Sequence, residues 1–387
     1  MVMRYLSRDL ILHLIAFQAV LLLIVLGNAY ILWRTACQDR PKDFPKVSVL
    51  VPARNEEKNI ARCIGSLLLQ DYPAFEVIAL DDQSTDGTQA ILEKMARAET
   101  RLRVLHGRPL SPDWLGKNWA CAQLAAQADG TLLYFTDADT FHQPEALRAA
   151  VTALEGEKAD LLTGFPRQLV RTWGERLIVP FFGWVLYCFM PLWLAYRLKA
   201  SVLSIAVGQM LLLRRTAYDA IGGHAAVRAS VVEDLDLARR IKAYGYRWRV
   251  LDATRLISCR MYGNGREAYG GLGKNLFAAF GFRLLPYLFA WLWLAVMFLE
   301  PPLLLGLHAL GLAPYVQTWL IVLCMGLSLA LWVVPYERLS LPLYLGILYP
   351  VTLLVIEWVA ARSLWLSVTG RLAWKGRALV RPKCRWL

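Results

Sequence analysis

Four long apolar blocks constrain the fold of this chain more strongly than any other feature of its sequence. The first, Leu10–Trp33, contains no Lys, Arg, Asp or Glu and is long enough to cross a bilayer core of ~30 Å. It exceeds the ~7–15-residue core of a cleavable signal peptide, so we expect residues 1–36 to form a retained N-terminal transmembrane anchor. Three further blocks predict C-terminal membrane helices within residues 284–365: Leu284–Leu310, Tyr315–Val334 and Leu341–Ala361.

The stretch between these blocks has the mixed composition of a soluble domain. We expect residues 37–283 to form one folded domain, and residues 366–387 to form a basic tail after the last membrane helix. Lys and Arg are frequent in the domain and absent from the loop Glu300–Pro314. By the positive-inside rule the domain lies on the cytoplasmic side of a bacterial-type cytoplasmic membrane, and that loop lies outside.

The basic tail conflicts with a simple count of helices. Three C-terminal crossings would place the tail outside, yet it contains six cations: Arg371, Lys375, Arg377, Arg381, Lys383 and Arg385. Either one C-terminal segment is re-entrant, with the Pro301-Pro302 break making the first one the main suspect, or the tail departs from the rule. We favour a cytoplasmic tail that is attracted to anionic headgroups.

Composition also excludes several classes of site and partner. The seven cysteines are scattered without a Cys-x-x-Cys pair, so neither a disulfide framework nor a zinc site is expected. The five histidines are equally dispersed. A net charge of +13 could suggest nucleic acid. However, the tail and membrane flanks supply part of that charge and no recognition motif is present, so we expect no nucleic-acid partner.

Strand and helix patterns alternate through the domain. Short apolar runs predict strands at Lys46–Pro52, Phe75–Leu80, Leu102–Leu105 and Leu132–Phe135. Helical patterns follow them up to Gln70, up to Ala98, over Lys117–Gln127 and over Pro144–Leu154. Strands that alternate with helices of about ten residues indicate βαβ units. The predicted fold class is therefore α/β, with a mostly parallel sheet and transmembrane helices at both ends of the chain.

Acidic side chains follow two of these strands. Asp81 and Asp82 end the second strand, and Asp137 and Asp139 follow the fourth in Thr136-Asp137-Ala138-Asp139. Ligands of open α/β sheets bind at the carboxyl ends of the strands. Two adjacent carboxylates are poor neighbours at a buried strand end unless a partner satisfies them, and the N–H and O–H groups of a base or ribose would do so. Hard oxygen ligands at the second pair suit Mg²⁺ or Mn²⁺.

A third acidic pair, Glu233-Asp234, opens a later helix. Acidic residues favour the first turn of any helix, where each contributes only ~0.3–1 kcal/mol. The same position beside a cation could instead hold a general base. The first strand is followed by Arg54-Asn55-Glu56, which supplies further polar groups at the same sheet edge. Metal-assisted transfer, with one acidic group for the cation and another for a proton, is thus the chemistry that the pattern favours.

These motifs together carry a family resemblance over roughly residues 45–280. Pro52-x-Arg54-Asn55-Glu56, Asp81-Asp82-x-Ser84-x-Asp86-Gly87-Thr88, Thr136–Asp139, Gly222-Gly223 and Glu233-Asp234 occur in the order seen in inverting glycosyltransferases of family 2, which have the GT-A fold. Within that family the chain looks most like the membrane-bound carotenoid glucosyltransferases of the hydroxychlorobactene type. Further stretches support this: Trp114–Cys121, Phe135–His142, Gly208-Gln209-x5-Arg215, Arg260-Met261-Tyr262, Gly273–Phe277 and Trp374–Arg377.

The resemblance implies a role for each motif. It implies that the nucleoside of a UDP-sugar contacts Asp81 and Asp82, with Arg54 and Glu56 lining the same pocket. It implies that Asp139 is the main ligand of Mg²⁺ or Mn²⁺ and that Asp137 touches the metal, ribose or sugar. Asp234, next to Glu233, would be the catalytic base. The remaining implied substrate contacts are Lys117 (phosphate or base), Gln209, Arg260, Arg266 and Lys274.

One departure narrows the activity. Processive members carry Gln-x-x-Arg-Trp after the base, whereas this chain reads Arg260-Met261-Tyr262-Gly263-Asn264-Gly265-Arg266. The difference argues against polymer synthesis and leaves open whether Arg260, Arg266 or Lys274 steadies the pyrophosphate. The expected reaction is transfer of a sugar to the hydroxyl of a membrane lipid. Glucose is the first candidate for the sugar, and a carotenoid is the first candidate for the lipid. Hopanoid, ceramide and other glycolipid glycosyltransferases are the alternatives.

An apolar aromatic segment lies between the metal motif and the proposed base, at about residues 177–197. A crossing there would separate Asp139 from Asp234 by the membrane, so no shared site could form. Pro180, Pro191 and the aromatic content suit an interfacial or re-entrant element. We therefore expect this insert to dip into the cytoplasmic leaflet and guide a lipid acceptor; the alternative is an ordinary buried helix.

Overall fold

The computed structural model describes residues 2–36, 44–312, 317–371, 373–374, 377–378 and 384–386. These residues form two compact units. The helical unit comprises Met1–Ala29, Val170–Pro191 and Tyr262–Leu387, and the sheet unit comprises Tyr30–Leu169 and Leu192–Met261. A unit defined by contacts is not a domain defined by function, so the expected domain boundaries at 37 and 283 stay a prediction.

The sheet unit is built on eight strands: β1 (Val47–Ala53), β2 (Phe75–Asp81), β3 (Leu102–His106), β4 (Leu132–Phe135), β5 (Thr140–His142), β6 (Leu161–Gln168), β7 (Leu211–Arg214) and β8 (Trp248–Cys259). Their order across the sheet is β3-β2-β1-β4-β7-β6-β8-β5. The pairs β1–β2, β2–β3, β1–β4 and β6–β8 are parallel, whereas β7 and β5 pair antiparallel with their neighbours. The mostly parallel α/β sheet is confirmed.

Fourteen helices accompany these strands in the described residues: α1 (Val2–Ala36), α2 (Ile60–Leu68), α3 (Thr88–Ala98), α4 (Gly116–Gln127), α5 (Ala146–Gly156), α6 (Trp173–Phe189), α7 (Leu192–Arg197), α8 (Arg215–Ala220), α9 (Glu233–Ala243), α10 (Gly265–Ala279), α11 (Leu284–Ala309), α12 (Thr318–Arg338), α13 (Tyr344–Ile347) and α14 (Tyr349–Thr369). A 3-10 helix covers Gly223–Val227. Two short strands, β9 (Ala373–Trp374) and β10 (Arg377–Ala378), pair antiparallel near the C-terminus.

The core of the sheet unit follows from the two periodicities of its sequence. Alternate residues of β1 and the i, i+4, i+7 face of α2 are fully buried and share one apolar cluster. The four strands and four helices expected up to residue 154 are confirmed within a few residues at their ends. Strands β5 to β8 were not predicted: β5 and β7 are only 3 and 4 residues long, whereas β6 and β8, of 8 and 12 residues, were missed despite their length.

Four helices in the described residues are long and apolar enough to cross a membrane: Asp9–Ala36, Leu284–Ala309, Thr318–Arg338 and Tyr349–Thr369. The first agrees with the expected anchor. Helix α11 continues without a break through Pro301-Pro302. The last expected span starts too early, because Pro342 interrupts the chain and Pro350 suits the first turn of a new helix. The expected start of the middle span at Tyr315 lies outside the described residues, as do Lys375, Arg381 and Lys383 of the tail.

Prolines shape the packing of the helical unit. A proline donates no backbone N–H, so the carbonyl four residues before it is left without a helical partner. Gln18 on α1 donates from Nε2 to the Met297 carbonyl at 3.0 Å, the one that Pro301 leaves open, and to Ser328 Oγ at 2.9 Å. Two more bonds of this kind run from Trp184 Nε1 to the Leu331 carbonyl before Pro335 (2.8 Å), and from Asn28 Nδ2 to the Tyr187 carbonyl before Pro191 (2.8 Å).

The apolar insert is packed more tightly than its composition suggested. Trp184 on α6 is fully buried and stacks on Trp332 with ring centroids 4.0 Å apart. Phe181 and Tyr187 are buried as well. Their burial follows from the facing helices α12 and α14, which a reading of the insert alone could not supply. The role of the insert in guiding a lipid stays a prediction.

Candidate active site

The carboxyl ends of three parallel strands bring the predicted polar residues to one edge of the sheet. Strand β1 pairs with β2 on one side and with β4 on the other, all in parallel. Arg54 therefore follows the end of β1, Asp82 the end of β2, and Thr136–Asp139 the end of β4. This is the edge at which open α/β sheets bind ligands.

Hydrogen bonds tie the loops after β1 and β2 to each other. Asn55 and Gln83 both adopt left-handed backbone conformations, with φ of 53° and 56°. The backbone N–H of Asn55 donates to Ser84 Oγ at 2.9 Å, and its side-chain oxygen accepts from the Thr85 N–H at 2.9 Å. Arg54 donates from Nη1 to the Gln83 carbonyl at 3.1 Å. The two loops thus form one rigid wall of the site.

Asp81 and Asp82 are buried in this wall, at 3% and 2% exposure. Oδ2 of Asp81 accepts from the Ser84 N–H at 3.2 Å, whereas its Oδ1 is buried and has no hydrogen-bond partner among the described residues. A buried acceptor without a partner costs about 1–3 kcal/mol. A ligand that brings an N–H or O–H to this oxygen would remove that cost.

Asp86 is used by the protein itself. Its Oδ1 accepts from the Thr88 N–H at 3.0 Å, and its Oδ2 accepts from the Glu57 N–H at 3.2 Å. These bonds tie the first residue of α3 to the loop after β1, so contacts within the protein account for Asp86.

The metal motif joins a second cluster, around Lys117. Nζ of Lys117 lies 2.7 Å from Oδ1 of Asp137 and 2.9 Å from Oε1 of Glu233. Burial disfavours the charge on Lys117, but the carboxylates of Asp137 and Glu233 outweigh it and hold the pKa well above its ordinary value. The helix α4, the loop after β4 and the start of α9 are therefore joined by one ammonium group.

Asp139 lies next to this cluster with an oxygen to spare. Its Oδ1 is buried without a hydrogen-bond partner in the described part of the chain. Burial raises the pKa of Asp139 to about 7, and the charges of Asp137 and Glu56 add to the rise. Glu56, in the loop after β1, is therefore close enough for its charge to act on Asp139.

The proposed base is oriented by backbone N–H groups. Oδ2 of Asp234 accepts from the Gly208 N–H at 2.8 Å, and Oδ1 accepts from the Leu235 N–H at 2.7 Å. Burial raises the pKa of Asp234 to about 7, and the neighbouring Glu233 adds to the rise while Lys117 opposes it. A carboxyl group with a pKa near the working pH is suited to accept a proton.

Gly208 is a point of close approach within this cluster that the sequence did not reveal. A Cβ on this residue would lie 3.0 Å from Nζ of Lys117, 3.4 Å from Oδ2 of Asp234 and 3.7 Å from Oδ2 of Asp137. Three charged side chains thus meet at a position that has no side chain of its own. The available signal was a glycine just before an apolar strand, which often marks a close approach.

The other candidates lie as follows. Gln209 is buried, and its side-chain amide accepts from Gln168 Nε2 at 2.8 Å and donates to Cys259 Sγ at 3.1 Å. Arg260 directly follows β8 in the sheet unit, whereas Arg266 and Lys274 lie on α10 in the helical unit. The expected substrate contacts of these four residues stay predictions.

Comparison with known proteins agrees with this geometry. Residues 48–234 match the model of the family described as Glycosyl transferase family 2. The chain is 30% identical over 123 residues to the glycosyltransferase AglE of Haloferax volcanii, a match that covers 31% of this chain and 39% of that protein. It is 27% identical over 225 residues to the 4,4'-diaponeurosporenoate glycosyltransferase of Staphylococcus aureus, covering 57% of this chain and 58% of that one. The chain thus spans from about two fifths to just over half of these relatives.

A solved structure shares the fold across most of the chain. The mannosyltransferase PcManGT from Pyrobaculum calidifontis, solved with GDP-Man and Mn²⁺, superposes with a TM-score of 0.51 at 16% sequence identity. The superposition covers 92% of this chain and 98% of that one. Sheet order, family match and superposition agree: residues 48–234 match glycosyl transferase family 2, and the fold is GT-A-like.

Proposed function

We propose that this chain transfers a sugar from a UDP-sugar to the hydroxyl of a membrane lipid, with inversion at the anomeric carbon. Glucose is the first candidate for the sugar. The observation that carries the proposal is the position of Asp234, held by the Gly208 and Leu235 N–H groups within the cluster that contains Asp137. We thus assign a proton acceptor and a candidate metal ligand to one site. Metal-assisted transfer from a nucleoside diphosphate to a hydroxyl uses both.

In the proposed reaction Asp234 takes the proton of the acceptor hydroxyl. The hydroxyl oxygen forms a bond to the anomeric carbon on the face opposite the diphosphate. The bond from that carbon to the diphosphate oxygen breaks, and its electron pair leaves with the nucleotide. This single displacement inverts the configuration and needs no nucleophile from the enzyme.

The residues after β4 fit a divalent cation. The described residues contain no group of three or more His, Cys, Asp or Glu side chains arranged to hold an ion. Mg²⁺, however, is commonly bound by one or two carboxylates together with substrate phosphates, and the unpaired buried Oδ1 of Asp139 suits that role. Asp139 and Asp137 would hold Mg²⁺ or Mn²⁺, which would supply positive charge to the diphosphate leaving group.

The nucleoside side of the donor fits the wall formed by the first two loops. The unpartnered Oδ1 of Asp81 would accept from the base or ribose, with Asp82, Arg54 and Glu56 lining the same pocket. Lys117, whose side chain is 27% exposed, would exchange its carboxylate partners for a phosphate or base.

The membrane helices and the relatives support a lipid acceptor. Four helices are long and apolar enough for a bilayer, and the Staphylococcus aureus relatives are named 4,4'-diaponeurosporenoate glycosyltransferase. A carotenoid is therefore the first candidate acceptor; hopanoid, ceramide and other glycolipid acceptors are the alternatives. The distribution of Lys and Arg supports a cytoplasmic position for the proposed catalytic residues. Polysaccharide synthesis is disfavoured because the Gln-x-x-Arg-Trp signature is missing.

The proposal is tested with purified protein in detergent and a panel of labelled nucleotide sugars, offered with lipid extracts. We expect label to enter the organic phase with one UDP-sugar, to require Mg²⁺ or Mn²⁺, and to be lost in Asp234→Asn. A matched control is Asp236→Asn on the same helix, whose carboxylate pairs with Arg239 at 3.0 Å and should leave transfer intact. Equal activity of all three proteins would overturn the assignment of the base.

A further inference from the structure

Lys117 stands where the proposed metal ion would have to approach. Its ammonium group lies 2.7 Å from Oδ1 of Asp137 and 2.9 Å from Oε1 of Glu233, so one cation already serves two carboxylates. A divalent ion that binds Oδ1 of Asp137 must approach an oxygen that already contacts this ammonium group, and one that binds Oδ2 comes close to the same charge. Like charges in a partly buried site repel strongly, because the local dielectric is low.

A bound ligand can relieve this competition between the Lys117 ammonium group and a divalent ion. The side chains of Lys117 and Asp137 are 27% and 29% exposed, so a ligand can reach both of them. The diphosphate of a donor is an alternative acceptor for the ammonium group. When the diphosphate draws Lys117 away, Asp137 becomes available to a metal ion that the same diphosphate also binds.

We propose that Lys117 is a positioning residue that keeps Asp137 closed to free divalent cations until the donor diphosphate arrives. This makes metal and nucleotide bind together instead of metal first. The inference rests on the proposed function for the nature of the donor, but it concerns only the cation site. Failure of sugar transfer and failure of this inference are therefore separable.

The test is Mn²⁺ binding to the purified full-length protein without any nucleotide, followed by electron paramagnetic resonance. We expect Lys117→Met and Lys117→Gln to bind Mn²⁺ at least tenfold more tightly than the wild type. Lys117→Arg, which keeps the charge, should bind as weakly as the wild type. Adding Asp139→Asn to Lys117→Met should remove the gain, which locates the ion after β4.

Two results would overturn the inference. One is equal Mn²⁺ affinity of the wild type, Lys117→Met and Lys117→Gln. The other is a gain in Lys117→Arg as large as that in Lys117→Met. Thermal melting of each variant identifies misfolded protein, and the two neutral replacements make it unnecessary to rely on one of them.

A second inference comes from the helical unit. We infer that α14 occupies only the half of the bilayer on the side where α11 begins, so that the chain crosses the membrane three times, through α1, α11 and α12. The start of α14 lies deep in the bundle. The Tyr349 ring stacks on the Trp332 ring, with centroids 5.9 Å apart, and packs edge-on against the Phe298 ring, with centroids 6.1 Å apart. Phe298 is about 21 Å along α11 from its first residue, at 1.5 Å per residue.

The later part of α14 returns to the beginning of α11. Tyr287, in the first turn of α11, donates from its hydroxyl to the Ala360 carbonyl at 2.9 Å. Ser363 Oγ accepts from the Phe277 N–H, at the end of α10, at 3.1 Å. From Tyr349 to Ala360 the helix rises about 16 Å, which is half of a ~30 Å core.

The segments on both sides of α14 agree with this course. Gly346 before α14 packs so closely that a Cβ there would lie 2.8 Å from Cγ2 of Val333, so the chain after α12 folds back along it. Near the C-terminus, the backbone carbonyl of Arg385 accepts from the Leu284 N–H at 2.8 Å. The backbone N–H of Arg385 donates to the Phe282 carbonyl at 2.9 Å. The end of the chain therefore lies beside the start of α11. Arg385 therefore lies on the same side of the bilayer as the start of α11, as a cytoplasmic tail would require.

Thiol labelling with a membrane-impermeant reagent tests this topology. Cys384 is exposed and the other described cysteines are buried, so Cys37→Ser gives a clean background in the full chain. We expect Cys384 to react only in inverted vesicles, and Leu312→Cys, a position 67% exposed, to react in intact cells. Reaction of Cys384 in intact cells would show four crossings and overturn the inference.

Discussion

The backbone N–H of Gly208 donates a hydrogen bond of 2.8 Å to Oδ2 of Asp234. This bond joins the chain just before β7 to the first turn of α9, and it fixes one oxygen of the proposed base. The other oxygen accepts from Leu235. The orientation of the base is thus set by main-chain groups, which do not change rotamer.

Replacing Gly208 by alanine should slow transfer without unfolding the protein. The added Cβ would lie 3.0 Å from Nζ of Lys117, which must shift by a few tenths of an ångström, and it would contact Oδ2 of Asp234 at 3.4 Å. Overpacking costs about 1–3 kcal/mol, and we expect kcat to fall about tenfold or more. Gly65→Ala on α2, where a Cβ meets nothing within 4 Å, is the matched control. Equal kcat for both variants would show that Gly208 does not set the base.

The rate should depend on pH through Asp234. Burial raises the pKa of this carboxyl group to about 7, and only its deprotonated form accepts a proton. Activity should therefore be full above about pH 7 and fall about tenfold for each pH unit below it. Glu233→Gln removes a like charge, lowers the pKa of Asp234 and should move the acid limb to lower pH. An unchanged limb in that variant, measured as kcat against pH, would count against Asp234 as the titrating base.

Removal of divalent cations should stop transfer reversibly. The proposed ligands Asp139 and Asp137 have oxygen donors only, so Mg²⁺ or Mn²⁺ should restore activity after treatment with a chelator. Asp139→Asn should lose most activity and require more metal for what remains. Full activity in the chelator, measured by release of nucleoside diphosphate, would exclude the metal role.

Gln18 should stabilise the bundle through the carbonyl that Pro301 leaves open. Gln18→Leu roughly keeps the side-chain volume but leaves the Met297 carbonyl and Ser328 Oγ without this donor. Interhelical hydrogen bonds in membranes contribute about 0.6–1.7 kcal/mol, so thermal unfolding in detergent should shift measurably downward. Leu23→Ala on the same helix, at a position 70% exposed, should shift it less. The reverse order would mean that this bond does not stabilise the bundle.

The sequence was sufficient for the parts of the molecule that local patterns determine. The strand ends at Asp82 and Asp137 could be located because buried apolar runs stop there, and parallel pairing brings such ends together. The start of α9 at Glu233 was equally visible.

What escaped prediction depends on contacts between residues distant in the chain. The bonds from Gly208 to Asp234 and from Lys117 to Glu233 join separate segments and have no local period. The burial of Trp184 required knowledge of α12, and the late start of α14 required the effect of Pro342 and Pro350 on a uniformly apolar stretch. Apolarity alone does not distinguish a helix that crosses a membrane from one that enters half of it.

The most direct test of the central claim is mass spectrometry of lipid extracts from cells that express the wild-type chain or Asp234→Asn, with Asp236→Asn as the control. We predict that the wild type and Asp236→Asn contain a lipid whose mass is increased by one hexose, and that Asp234→Asn lacks this product. A carotenoid is the first candidate for the lipid. The same glycolipid at equal abundance in all three strains, or a glycosylated product that is not a lipid, would contradict this prediction.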